Sequence, residues 1–152
     1  MVIFIRNFVD GDYEKYIKSL TEDNMKYFFE TNFGGWSSDV SKKQFFKILN
    51  NGFVRLLFDD DVFCGYVSFI KERDDFSSFL INDFHIIEKF RRQGNGKYLL
   101  DDVISFAKNE SVSQLKVFVF KNNPSINFYT RLGFVEFDFL KKSNSSVLIK
   151  KI

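Results

Sequence analysis

Apolar and polar positions follow two different periods along this chain, and each change of period marks an element. Residues 2–8 form an apolar run with β-branched side chains and predict a first strand. Asp10 and Asp12 are expected to cap a helix over 13–20. Thr21-Glu22-Asp23 is expected to start a second helix, with Met25, Phe28 and Phe29 on its apolar face and a stop near Gly34-Gly35. Ser41 is expected to cap a third helical segment carrying Phe45, Phe46 and Leu49, closed by Asn51-Gly52. Residues 53–58 and 62–70 read as a hairpin around Asp59-Asp60-Asp61, and 76–87 contains another strand. Over 96–110, Leu99, Leu100, Val103, Ile104 and Ala107 recur at helical spacing. A short strand over 115–120, a compact helix over 124–132 and a hairpin of 135–140 with 146–151 complete the pattern. This order of strands and helices predicts an α/β (α+β) fold with a mixed sheet. No internal repeat or low-complexity linker divides the chain, so residues 1–152 are expected to form a single domain.

Composition narrows the chemistry. The single cysteine, Cys64, excludes an internal disulfide framework, and with one histidine, His85, no Cys- or His-based metal centre is expected. A reducing, cytoplasmic setting is the simplest expectation. Net charge of +2 is too small an excess to argue for nucleic acid as a partner. The first residues lack a basic segment followed by a long apolar run, and no stretch approaches the ~18 apolar residues of a membrane span, so no membrane partner is expected. Phenylalanine supplies 22 residues, against one alanine, and is expected chiefly to fill the core.

The informative stretch is Phe90-Arg91-Arg92-Gln93-Gly94-Asn95-Gly96-Lys97, between an apolar strand and the strongest helix. Two glycines one residue apart let backbone amides approach a ligand. The helix that follows offers unpaired N–H donors and a positive dipole end. Lys97 in the first turn opposes that dipole at a cost of a few tenths of a kcal/mol. With Arg91 and Arg92 it makes three cations that repel one another unless an anion joins them. A phosphate site is one reading, a solvated loop the other. Neither common nucleotide fingerprint fits: Leu99 stands where a dinucleotide motif needs its third glycine, and Gly94 to Tyr98 cannot supply a Walker loop.

Arg91-x-x-Gly94-x-Gly96 resembles the Arg/Gln-x-x-Gly-x-Gly/Ala motif of the Gcn5-related N-acetyltransferases, which grips the pyrophosphate of acetyl-coenzyme A. About thirty residues later, Asn122-Asn123-Pro124-Ser125-Ile126-Asn127-Phe128-Tyr129-Thr130-Arg131-Leu132-Gly133-Phe134 is similar to the family's second motif, Asn-x-x-Ala/Ser-x-x-Phe/Leu-Tyr-x-Lys/Arg-x-Gly-Phe. The resemblance extends over nearly the whole chain. It implies a mixed, mostly antiparallel, twisted sheet of about seven strands with helices on both faces. Locally, Asn123 suits an N-cap, Pro124 the first helical position and Gly133 the position just past the helix.

The resemblance also implies an activity: acetyl transfer from acetyl-CoA, without a metal, to a primary amine of a small molecule or peptide, by a monomer or homodimer. By motif position the coenzyme would be held by Arg91, Arg92, Gln93, Gly94, Asn95, Gly96 and Lys97, by Asn122, Ser125 and Phe128, and by backbone around Phe84, His85 and Ile86. Tyr129 is the implied acid for the leaving thiolate. Many relatives carry a glutamate base on the fourth strand; here Asn82-Asp83-Phe84-His85-Ile86 has none, and Asp83 or His85 is expected to substitute through water. The region of Met25, Tyr27, Phe33 and Trp36 resembles the acceptor side of some bacterial members. Trp36 is either an aromatic lid over the acceptor or an anchor for its loop. A non-catalytic acyl-CoA sensor on the same fold is the competing expectation.

Overall fold

The computed structural model describes residues 2–152; Met1, the first residue of the expected 1–152 domain, lies outside them. The described residues form a seven-stranded sheet in the order β1-β2-β3-β4-β5-β7-β6. The strands are β1 Ile3–Asn7, β2 Phe53–Asp59, β3 Val62–Lys71, β4 Ser78–Ile86, β5 Gln114–Phe120, β6 Val135–Leu140 and β7 Ser145–Lys151. The helices are α1 Lys18–Asn32, α2 Ser38–Asn51, α3 Asn95–Asn109 and α4 Ser125–Arg131. All neighbouring strands run antiparallel except β4 and β5, which are parallel.

Successive residues of each strand feed opposite faces of the sheet. Leu57, Val67 and Phe69 join Leu99, Leu100 and Val103 of α3 and Tyr129 of α4 in one core. Leu56, Phe58 and Tyr66 point the other way, into a second core with Tyr13, Ile17, Leu20 and Phe45. The phenylalanines largely fill these cores: Phe53, Phe69, Phe79 and Phe106 pack ring against ring, as do Phe8, Phe45 and Phe46 with Tyr13. Arg55 ties the α3 side together through paired 2.9 Å bonds to Asp102.

Three local expectations are corrected. Residues 13–32 form one continuous helical segment, a π-helical turn Tyr13–Ile17 running into α1, with no restart at Thr21. No glycine or proline interrupts this stretch, and the Thr21 hydroxyl bonds back to the Ile17 carbonyl at 2.9 Å while meeting the Tyr66 hydroxyl. Asp12 is not a cap. Its carboxylate accepts from Arg6 at 2.7 and 3.0 Å and from the Val9 amide at 2.8 Å. Ser37, not Ser41, caps α2, accepting from the Val40 amide at 3.2 Å.

Candidate active site

The parallel pairing of β4 with β5 lasts only from Ser78–Gln114 to Ile81–Val117. Beyond it β4 stays on β3 while β5 stays on β7 as far as Phe120, so the two strands diverge. At the parting point the β3–β4 register slips: Ser68 faces Asp83 and Phe69 faces Ile81, leaving Asn82 without a partner across the ladder. A cleft of about 1450 Å³ opens there. Its walls come from α1, from β4 and β5, from the loop before α3, and from α4. A second hollow, of about 680 Å³, flanks α4 and β6 and contains none of His85, Tyr129 or the 91–97 loop.

Ladder geometry assigns the free amides. Ile87 donates to the Cys64 carbonyl at 2.8 Å, so alternation turns His85 toward β3 and the amides of Phe84 and Ile86 toward the open edge. The Ile86 carbonyl, likewise free of the ladder, accepts from Arg91 Nε at 3.0 Å.

The loop before α3 is shaped differently by each residue. Arg92 and Gly94 take left-handed conformations, at φ of 59° and 85°. A Cβ at Gly94 would have nothing within 4 Å, so the backbone there faces open space. The first helical bond runs from the Tyr98 amide to the Gly94 carbonyl at 3.0 Å, which leaves the amides of Asn95, Gly96 and Lys97 without partners inside the helix. At Gly96 packing also matters: a Cβ there would lie 2.8 Å from Cε1 of Phe128. Asn95 is buried, and its side chain donates to the Phe90 carbonyl at 2.9 Å. Gln93 donates to the Lys89 carbonyl at 2.9 Å. Lys97 is exposed and pairs with Asp101 at 2.8 Å, so its charge is partly answered within the helix. Arg91 turns inward, to Ile86 and to Oδ1 of Asn24 at 2.9 Å. Of the three cations, Arg92 and Lys97 project at the mouth while Arg91 bridges two elements.

Tyr129 stands where α4 meets the parted strands, buried against Phe84, Phe128 and Phe134. Burial, reinforced by the negative charge of Asp83, pushes its phenol well above the ordinary tyrosine value. Phe128 lies between Gly96 and Phe84, its ring 5.4 Å from that of Phe84. Ser125 lines the cleft and is the first residue of α4, with Pro124 at the cap position; its amide donates to Oδ1 of Asn123 at 2.9 Å. Asn122 does not line the cleft. Its amide exchanges bonds with Asn32 at 2.9 Å and Thr31 at 3.3 Å, and so ties the β5–α4 loop to the end of α1.

Asp83 and His85 share one face of β4, as their spacing implies. His85 lines the cleft; Asp83 lies behind it, accepting from the Ser68 hydroxyl at 2.9 Å, with Oδ1 3.6 Å from His85 Nε2. On the opposite wall Phe33, exposed, stacks on Phe29 and meets Phe120 edge-on. Trp36 does not line the cleft; it packs edge-on against Phe29 at 5.3 Å and thereby anchors its loop. Among the cleft residues that the sequence did not single out are Asn24, on α1, and Asn82, whose Nδ2 is buried with no hydrogen-bond partner. Neither belongs to a spacing pattern, and only the fold brings them to the cleft.

Among the described residues no cluster of His, Cys, Asp or Glu is arranged to hold a metal ion, and no helix is long and apolar enough to cross a membrane.

A family model of the acetyltransferase (GNAT) family matches residues 17–134. The chain belongs to that family, and its class is that of the acyltransferases. The PaiA N-acetyltransferase of Thermoplasma acidophilum, solved in complex with coenzyme A, matches with a TM-score of 0.79 at 17% identity, over 100% of both chains. Ard1 from Thermoplasma volcanium gives 0.77 at 18% identity, over 100% of this chain and 99% of that one. A GNAT family acetyltransferase from Elizabethkingia anophelis with acetyl-CoA bound gives 0.74 at 21% identity, over 99% and 98%. At such identities the likeness is one of fold, and it agrees with the expected mixed sheet and two helical faces. A search of curated protein sequences finds no match.

Proposed function

We propose that this chain is a cytoplasmic N-acetyltransferase that moves the acetyl group of acetyl-CoA to a primary amine of a small molecule or peptide, both bound at once. The observation that carries this reading is the parted β4–β5 edge opening onto the amide-rich turn before α3.

The residues fit the coenzyme. Open space at Gly94, three first-turn amides of α3 and the projecting Arg92 and Lys97 suit a diphosphate. The free edge of β4, with Ser125 and Phe128 across the cleft, suits a pantetheine arm. Gln93 and Asn95 contribute by fixing the loop, and Asn122 by holding the β5–α4 turn in place. When bound, acetyl-CoA supplies the activated acyl group and a thiolate leaving group.

The chain supplies the rest. The amides of Phe84 and Ile86 hold the acyl oxygen as its charge grows; one well-placed donor is worth up to ~3–4 kcal/mol. Tyr129, kept protonated by burial and by Asp83, hands its proton to the departing sulfur. An alkylamine is mostly charged near neutrality, so its proton must leave before attack. Asp83 or His85 draws it off through water. Phe33 lies on the wall offered to the acceptor, with Trp36 behind it as support.

Incubation with acetyl-CoA and a panel of amines, read by thiol release, tests the proposal. Turnover with an amine supports it. Tight coenzyme binding without thiol release from any amine would identify an acyl-CoA sensor instead. Absence of coenzyme binding in calorimetry would remove both readings.

A further inference from the structure

The proton on His85 is not free to choose its nitrogen. Arg91 donates from Nη2 to Oδ1 of Asn24 at 2.9 Å, and a guanidinium has no acceptor to offer in exchange. That bond fixes which end of the Asn24 amide is oxygen. The other end, Nδ2, then faces His85 Nδ1 at 3.3 Å, and an amide nitrogen can only donate. His85 Nδ1 must therefore accept, which places the imidazole proton on Nε2. Nε2 is buried with no hydrogen-bond partner and lies 3.6 Å from Oδ1 of Asp83, whose Oδ2 is engaged by Ser68. The groups around the ring agree. From β3, Tyr66 packs at 5.6 Å with its phenol held protonated by burial and by Asp83; from α1 comes the Asn24 amide; from β4 itself comes only Asp83.

We infer that Asn24 is a positioning residue which, oriented by Arg91, locks His85 in the Nε2–H tautomer and aims that proton at Asp83. The basic lone pair of His85 is thereby directed to α1, not to the cleft. Of the two candidate bases, Asp83 is then the one left with a free lone pair, its Oδ1 facing the His85 N–H at 3.6 Å. This arrangement belongs to the chain without ligands and is readable without turnover, so its failure would be separate from failure of the acetyl-transfer reading.

His85 is the one histidine in the sequence, so its ring nitrogens can be observed without assignment ambiguity. The test is a long-range proton–nitrogen correlation spectrum at mildly alkaline pH, where an ordinary imidazole is neutral. The parent protein should show a pyrrole-type shift at Nε2 and a pyridine-type shift at Nδ1. Asn24→Asp is nearly isosteric but replaces the donor with an acceptor, and should move a proton to Nδ1, either exchanging the two shifts or protonating both nitrogens. A parent spectrum with the proton on Nδ1 would overturn the assignment. Unchanged shifts in a folded Asn24→Asp protein would overturn the role of Asn24. Should that variant not fold, Arg91→Ala frees the Asn24 amide to turn and should average the tautomers; parent-like shifts there would overturn the lock.

Discussion

Replacing Gly96 by alanine separates packing from ligand approach at the coenzyme turn. The added Cβ would stand 2.8 Å from Cε1 and 3.0 Å from Cζ of Phe128, closer than carbon atoms pack. Phe128 cannot simply swing aside, because its ring is flanked by Phe84 at 5.4 Å and Tyr129 at 5.2 Å. Overpacking of this kind costs about 1–3 kcal/mol. Alanine regains up to ~1 kcal/mol of helix propensity, less in a first turn than in the middle. The net expectation is a loss of about 1–2 kcal/mol, or a fall in Tm of roughly 2–8 °C for a chain of this size. Gly94→Ala is the control. Its Cβ meets nothing within 4 Å, but φ is 85°, so the cost is backbone strain of about 1–2 kcal/mol. The two variants thus lose similar stability and differ in function. Gly94→Ala puts a methyl in the open space at the turn and should weaken coenzyme binding at least tenfold. Gly96→Ala should chiefly lower kcat by displacing Phe128 and with it Tyr129. Differential scanning fluorimetry and calorimetry with CoA read both effects. A Gly96→Ala protein with parent Tm, kcat and affinity would refute the packing role, and parent affinity in Gly94→Ala would count against diphosphate at this turn.

Other outcomes follow from the same geometry. Tyr129→Phe should keep coenzyme affinity and lose at least tenfold in kcat near neutral pH; in the parent, the raised phenol should leave the rate free of any tyrosine ionisation below pH ~10. At Asp12 burial opposes ionisation, but the bonds from Arg6 and Val9 outweigh it and hold the carboxyl below its ordinary range. Its stabilisation is therefore complete above pH ~4 and lost as pH falls through the lowered value; Tm measured from about pH 6 to about pH 3 should fall less steeply in Asp12→Asn than in the parent. Asp102→Ala leaves the half-buried Arg55 guanidinium without its paired acceptor and should cost about 1–3 kcal/mol in denaturant unfolding, with m unchanged.

The sequence made the helical rhythm of α3, the turn residues between the strands and the order of the two glycine- and asparagine-bearing motifs legible, because each is set by neighbours a few positions apart. The same locality explains what was not legible. Thr21 reads as a helix start until Tyr66, on β3, is seen to occupy its hydroxyl. That Gly96 also has to admit the ring of Phe128 shows only once α4 is in place. Arg91 reads as a phosphate cation until α1 brings Asn24 within reach, and Asn24 itself carries no pattern. Each of these three contacts joins residues more than thirty positions apart and is made by tertiary packing.

The brief pairing of β4 and β5 has a consequence for traffic. Where the strands part, the opening passes from the side covered by α1 to the side covered by α3 and α4. A sheet is normally a partition, and this one has a doorway. On the proposed reading, coenzyme and acceptor would reach the threshold beside Tyr129 from opposite rooms, so neither would have to back out for the other to arrive.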